Sequence, residues 1–256
     1  MLNPYSESLL AAAVGWLLGS LVNYLSDVLP HFRKLVRPVC LWCGQSARQP
    51  QYWLYPAVCK QCGHRRGWRS LVVWAVFAAA AVWLWQNPPN GIGFWLAMVL
   101  LTYFGLVTVI DIEHRLILHV VSGFGAVLGL VVGTWLHGLV DTLIGGLIGF
   151  GVMLGLHLLG RGFIRLSSRL RGREIGADDD ALGFGDVTLG GVIGLFLGGW
   201  EGIVAGLVLA ILLGGAVSLA ALIVAAVRGK YHPGLALPYG PFMAASTLYL
   251  LFTRWG

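Results

Sequence analysis

Charge is what this chain has least of. Asp, Glu, Lys and Arg make up only 11% of its 256 residues, against 57% hydrophobic. Soluble domains carry about 25% charged residues, so an ordinary soluble enzyme or binding module is excluded. Cysteine is sparser in number: four residues, all between positions 40 and 62. No Lys or Arg precedes Arg33. A cleaved secretory signal needs a basic region ahead of its apolar stretch, so the first apolar run is expected to stay as a membrane helix. The net charge of +6 would suit a nucleic-acid ligand. The basic residues instead sit in short stretches between apolar runs, which is a membrane-topology pattern and predicts no nucleic-acid partner.

Apolar runs are what the chain has in abundance. A bilayer-spanning helix needs about 20 mostly apolar residues. Segments of that kind are read at 8–29, 70–86, 91–110, 116–136, 139–160, 184–199, 202–227 and 236–254, the sixth being short and Gly-rich. The fold class is therefore an all-α polytopic membrane protein of about eight transmembrane helices with a small cytoplasmic insert. Its expected parts are a first helix at 1–29, an insert at 30–69 and a multi-helix domain at 70–256. With alternating helices, every Lys and Arg except Arg254 falls on one side. By the positive-inside rule that side is the cytoplasm, with both termini outside.

Two carboxylates stand where apolar runs meet polar ones. Asp111 follows Phe94–Ile110, and Asp186 ends Gly183-Phe184-Gly185-Asp186. A carboxylate at membrane depth is costly, and its presence points to function. The predicted topology puts both near the cytoplasmic face. Two close carboxyls share a proton, so one can take a proton from water while the other polarises a carbonyl. Gly183 and Gly185 would let a substrate strand approach. An ion or proton relay of a transporter, or a helix-end ion pair with His114 or Arg115, fits the same residues. The run Asp178 to Asp180 reads as a solvated loop.

The insert reads Cys40-x2-Cys43, fifteen residues, Cys59-x2-Cys62. That spacing predicts a four-cysteine structural zinc site, since each CxxC turn presents two thiolates to a tetrahedral ion. Disulfides are not expected in a reducing cytoplasm.

Taken together these residues resemble the bacterial type IV prepilin leader peptidases, a family of GxGD membrane aspartic proteases. Gly19-Ser20, Asn23 and Leu29-Pro30 resemble the opening motif, and the two CxxC pairs its zinc loop. Val109 to Glu113 and Gly183 to Val187 resemble the segments around its two catalytic aspartates, and Leu237-Pro238-Tyr239-Gly240-Pro241-Phe242 its late motif. The resemblance implies cleavage of prepilins or pseudopilins at the cytoplasmic face of the bacterial inner membrane, with Asp111 and Asp186 as the catalytic pair. It places Gly183, Gly185, Glu113, Pro238, Gly240 and Pro241 near the substrate. It also implies N-methylation of the new terminus with S-adenosylmethionine, whose binding residues have no sequence assignment. The chain departs from the family at Val28, Leu118 and Thr188, and in lacking a glutamate shortly after Arg69.

Overall fold

The computed structural model describes residues 4–40, 42–45, 58–59, 61–64, 67–171, 183–227 and 238–254. Among them are eight helices: α1 Pro4–Phe32, α2 Arg69–Gln86, α3 Gly93–His114, α4 His119–His137, α5 Leu139–Arg171, α6 Phe184–Leu197, α7 Gly199–Val227 and α8 Gly240–Arg254. Six of these are long and apolar enough to cross a membrane, while α6 and α8 are shorter apolar helices. The all-helical membrane architecture read from sequence is thus observed. The chain forms two compact units, Met1–His114 with Phe252–Gly256, and Arg115–Leu251.

In the first unit, α1 packs on α2 through a stripe of small and polar residues. A Cβ on Gly15 would lie 2.3 Å from the Phe77 carbonyl oxygen, and one on Gly19 would lie 3.2 Å from the Phe77 Cβ. Gly15-x3-Gly19 therefore lets two backbones approach, as small residues do where helices meet in lipid. Close approach brings polar groups into register. The indole N–H of Trp74 donates to Ser20 Oγ at 2.8 Å, and Asn23 Nδ2 donates to the Ser70 carbonyl at 3.1 Å. The opening motif residues Gly19, Ser20 and Asn23 are thus the α1–α2 seam. Phe77 also fills the space that Gly105 leaves on α3.

In the second unit, α5 and α6 meet through a second pair of glycine motifs. Gly145-x3-Gly149 on α5 faces Gly190-x3-Gly194 on α6. A Cβ on Gly194 would lie 2.0 Å from the Gly145 carbonyl oxygen, and one on Gly149 would lie 2.3 Å from the Gly190 oxygen. These blocking atoms are backbone, so no rotamer change relieves the clash. Gly194→Val is expected to cost about 3 kcal/mol or more, the upper end of overpacking. Gly151 has nothing within 4 Å of a built Cβ, so Gly151→Ala should be neutral or stabilising by up to about 1 kcal/mol. Thermal unfolding in detergent checks the contrast; equal melting temperatures for the two variants would rule out this packing.

At about 1.5 Å per residue, the 14 residues of α6 span about 21 Å, short of an apolar layer about 30 Å thick. α6 is also largely buried, with Val187, Leu189, Ile193 and Phe196 in the core. It ends where Gly198 and Gly199 adopt φ of 60° and 54°, and a ring nitrogen of His137 lies 2.8 Å from the Phe196 carbonyl oxygen. The 33 residues of α5 overshoot the apolar layer. Arg161, Arg165, Arg169 and Arg171, read from sequence as part of a loop at 161–183, lie on its C-terminal extension. Basic residues there favour the helix by opposing its macrodipole. α7 exposes Ile211, Leu212, Leu219 and Ile223, as expected of a lipid-facing helix.

Candidate active site and metal centre

Asp111 lies in the last turn of α3 rather than beyond its end, and it is only 5% exposed. The helix runs on to His114, and the chain turns at Arg115, whose φ is 50°. Beside Asp111 in sequence, Glu113 is ion-paired with Arg69 at the start of α2. Arg69 also bonds to Asp27 of α1, so one guanidinium ties three helices together. His114 lies edge-on to His31, with ring centroids 5.5 Å apart. Glu113 therefore has a structural partner already.

Asp27 is not among the carboxylates singled out from sequence. The signal was present: it is a charge inside the first apolar run, and the rule that picks Asp111 applies to it. Its side chain is 9% exposed and that of Arg69 23%. Removing Arg69 takes the ion-pair partner from a buried carboxylate, at about 3 kcal/mol. Arg69→Met is thus expected to lower stability well beyond Glu113→Gln, which breaks a more exposed pair worth up to about 1 kcal/mol. Chemical or thermal unfolding of the two variants decides this; equal losses would contradict it.

Asp186 lies in the first turn of α6, two residues inside the helix start at Phe184. Gly183 is the N-cap residue, and its carbonyl accepts the Asp186 N–H at 3.1 Å. A carboxylate in the first turn is favoured by the positive end of the helix dipole. Gly185 is required by packing, since its Cβ would fall 2.7 Å from Ile117 Cβ in the segment joining α3 to α4. Gly183 is exposed. Thr188 donates to the Gly185 carbonyl at 2.8 Å.

The late motif lies at the start of α8. Gly240 is buried, and Pro241 stands in the first turn, where a missing N–H costs nothing. The Tyr239 carbonyl accepts the N–H groups of Phe242 and Met243. Because the helix begins at Gly240, Tyr239 stands in the turn ahead of it. Tyr239 lies within electrostatic reach of the Asp186 carboxylate, a relation the sequence does not disclose. Pro238 is half-buried just before it. Glu174 and Asp178 to Asp180 lie outside the described residues.

The four cysteines form two like turns. Cys40 N–H donates to the Gln45 carbonyl and Cys59 N–H to that of His64; Gly44 and Gly63 donate back to Cys40 and Cys59. Gly44 and Gly63 have φ of 73° and 69°, a left-handed conformation that glycine adopts at no cost. The four Sγ atoms lie within 4.8 Å of one another, Cys40 to Cys62 at 3.7 Å and Cys43 to Cys59 at 3.6 Å. Tetrahedral zinc with bonds of about 2.3 Å requires sulfurs about 3.8 Å apart, so the cluster fits a metal ion of that kind. Backbone N–H groups, first that of Cys62, hold the Cys59 thiol down to about 6. At Cys62 a hydrogen bond from the His64 backbone lowers the value. Desolvation and the neighbouring sulfurs outweigh it and push the thiol up to about 12. Trp42 stacks on His64 beside the cluster, with centroids 5.5 Å apart.

Residues 95–219 match the model of the type IV leader peptidase family, a segment that begins in α3, ends in α7 and contains both Asp111 and Asp186. The class is that of a membrane protein with a peptidase-family segment. Over that segment, just under half of the chain, it is similar to the type IV leader peptidases, the family that its motifs resemble. No curated protein and no solved structure matches the chain.

Proposed function

We propose that the protein is an aspartic endopeptidase that removes the basic leader of type IV prepilins or pseudopilins at the cytoplasmic face of the inner membrane. The observation that carries this reading is the family match over 95–219, which includes the Asp186 of Gly183-Phe184-Gly185-Asp186 and the buried Asp111. Nothing in the structure favours the relay of a transporter over it.

In this mechanism one carboxylate, of Asp111 or Asp186, takes a proton from water as the oxygen attacks the peptide carbonyl. The other carboxyl, protonated, donates to that carbonyl oxygen; as the C–N bond breaks, the first carboxyl passes the proton taken from water to the leaving amine, and the second recovers its own from the diol hydroxyl as the carbonyl re-forms. Zinc at Cys40, Cys43, Cys59 and Cys62 would hold the insert folded, with all four positions filled by protein and none left for catalysis. Methyl transfer with S-adenosylmethionine belongs to the resemblance, and no described residue is assigned to it. Purified protein should cut a prepilin at one bond without added S-adenosylmethionine, with mass spectrometry identifying the new N-terminus. Intact substrate after prolonged incubation with folded protein would refute the reading.

A further inference from the structure

The chain reverses where α1 ends. The helix stops at Phe32, and Arg33 takes a left-handed φ of 52°. The Tyr24 hydroxyl then donates to the Val36 carbonyl at 2.5 Å. Tyr24 stands eight residues before the helix end, about 12 Å along the axis. Helical side chains also lean toward the N-terminus, away from that end. A tyrosine side chain and one hydrogen bond do not span the distance. Residues 33–36 therefore run back beside the last turns of α1.

That reversal decides what the stretch faces. The 29 residues of α1 span about 43 Å, the thickness of a bilayer with its headgroup regions. The last turns of the helix, and the chain folded beside them, thus stand at headgroup depth. Arg33, Lys34 and Arg37 are exposed there, and so are Phe32 and Leu35. Arg69 pairs with Asp27, which sets the start of α2 level with the end of α1. Trp68, the exposed residue just before α2, belongs to the same edge. Exposed apolar groups rimmed by charge mark an interaction surface. Tryptophan favours the membrane edge, where Lys and Arg lay their stems on apolar surface and keep their charge outside it.

Charge selects the partner. No Asp or Glu occurs between Asp27 and Asp111, while eight Lys and Arg residues lie between positions 30 and 69. The neighbouring acids Asp27 and Glu113 are bonded to Arg69. Four thiolates on a divalent ion would leave the insert strongly positive. A basic peptide is repelled by such a stretch. An anionic lipid surface is attracted to it.

We propose that Arg33, Lys34 and Arg37 bind anionic phospholipid headgroups, with Leu35 and Trp68 set into the adjoining acyl boundary. This surface lies outside the peptidase chemistry and holds whether or not the chain cuts prepilins. A nucleic acid would meet the same cations, but it offers no apolar layer to Leu35 and Trp68.

The test uses full-length protein in nanodiscs of equal parts phosphatidylcholine and phosphatidylglycerol. A photo-crosslinking side chain replaces Leu35, and mass spectrometry identifies its adducts. Phosphatidylglycerol adducts are expected to exceed phosphatidylcholine adducts at least about fivefold, the attraction of about one basic residue to an anionic surface. The same side chain at Val127, exposed on α4, should show no preference. Arg33→Gln, Lys34→Gln and Arg37→Gln together should abolish the preference at position 35. All three side chains are exposed, so the melting temperature should hold to within a few degrees. A second measurement needs no change to these cations. Raising salt from about 0.1 M to about 1 M cuts the Debye length from about 10 Å to about 3 Å and should weaken the preference. Equal adducts of the two lipids at position 35, or a preference that survives both the triple change and high salt, would overturn the proposal. Adducts with an added oligonucleotide in place of lipid would reassign these cations to nucleic acid and overturn it as well.

Discussion

Asp111→Asn and Asp186→Asn should each lower prepilin cleavage by at least about 10²-fold, and by up to about 10⁴-fold, the range of general acid–base catalysis. Asparagine keeps the size and one oxygen of the carboxylate but cannot exchange the proton. Each change should leave the protein folded, for different reasons. Asp111 is buried, and there a neutral amide is easier to bury than an anion. At Asp186 the lost charge weakens the interaction with the helix dipole, worth about 0.3–1 kcal/mol. The assay therefore needs two readouts on each variant: initial cleavage rate and melting temperature in detergent. Lost cleavage with melting unchanged to within a few degrees is the expected pair. A variant that cuts at the wild-type rate would remove that aspartate from the mechanism.

Much of the fold was legible because lipid simplifies the code. With no water to satisfy the backbone, apolar length alone predicts helices, and the eight runs read from sequence correspond to the eight helices observed. Their ends were less legible. α5 runs on to Arg171 because arginine is a good helix former and opposes the helix dipole, while a hydropathy reading stops at the first charge. The glycine pairs were visible as Gly15-x3-Gly19, Gly145-x3-Gly149 and Gly190-x3-Gly194. With 37 glycines in the chain, such spacings arise too often to be assigned until the facing backbones are seen. The site divides in the same way. Spacing alone exposed the cysteines, because Cys-x2-Cys-Gly fixes a turn locally. Arg69 with Asp27 and Glu113, and Tyr239 with Asp186, depend on residues distant in sequence, and no local pattern announces them.

Removing the metal should have the largest effect on the insert and little on the membrane helices. The described part of the insert has almost no apolar core: Leu35 is 70% exposed, Trp42 77% and Trp68 79%. Burial of apolar area therefore cannot hold it, and two CxxC turns without an ion would be open chain. A structural zinc ion contributes on the order of 10 kcal/mol to such a fold. Purified protein should carry one zinc per chain by atomic spectroscopy. After chelation, or with Cys40, Cys43, Cys59 and Cys62 all changed to Ser, trypsin should cut rapidly at Arg48, Lys60, Arg65 or Arg66, all between Cys43 and Arg69 in the sequence. The membrane helices should resist, because the packing of α1 on α2 through Gly15, and of α5 on α6 through Gly145 and Gly194, involves no residue of the insert. A trypsin pattern unchanged by the four substitutions would show that the insert folds without metal, and the cysteine geometry would then need another explanation.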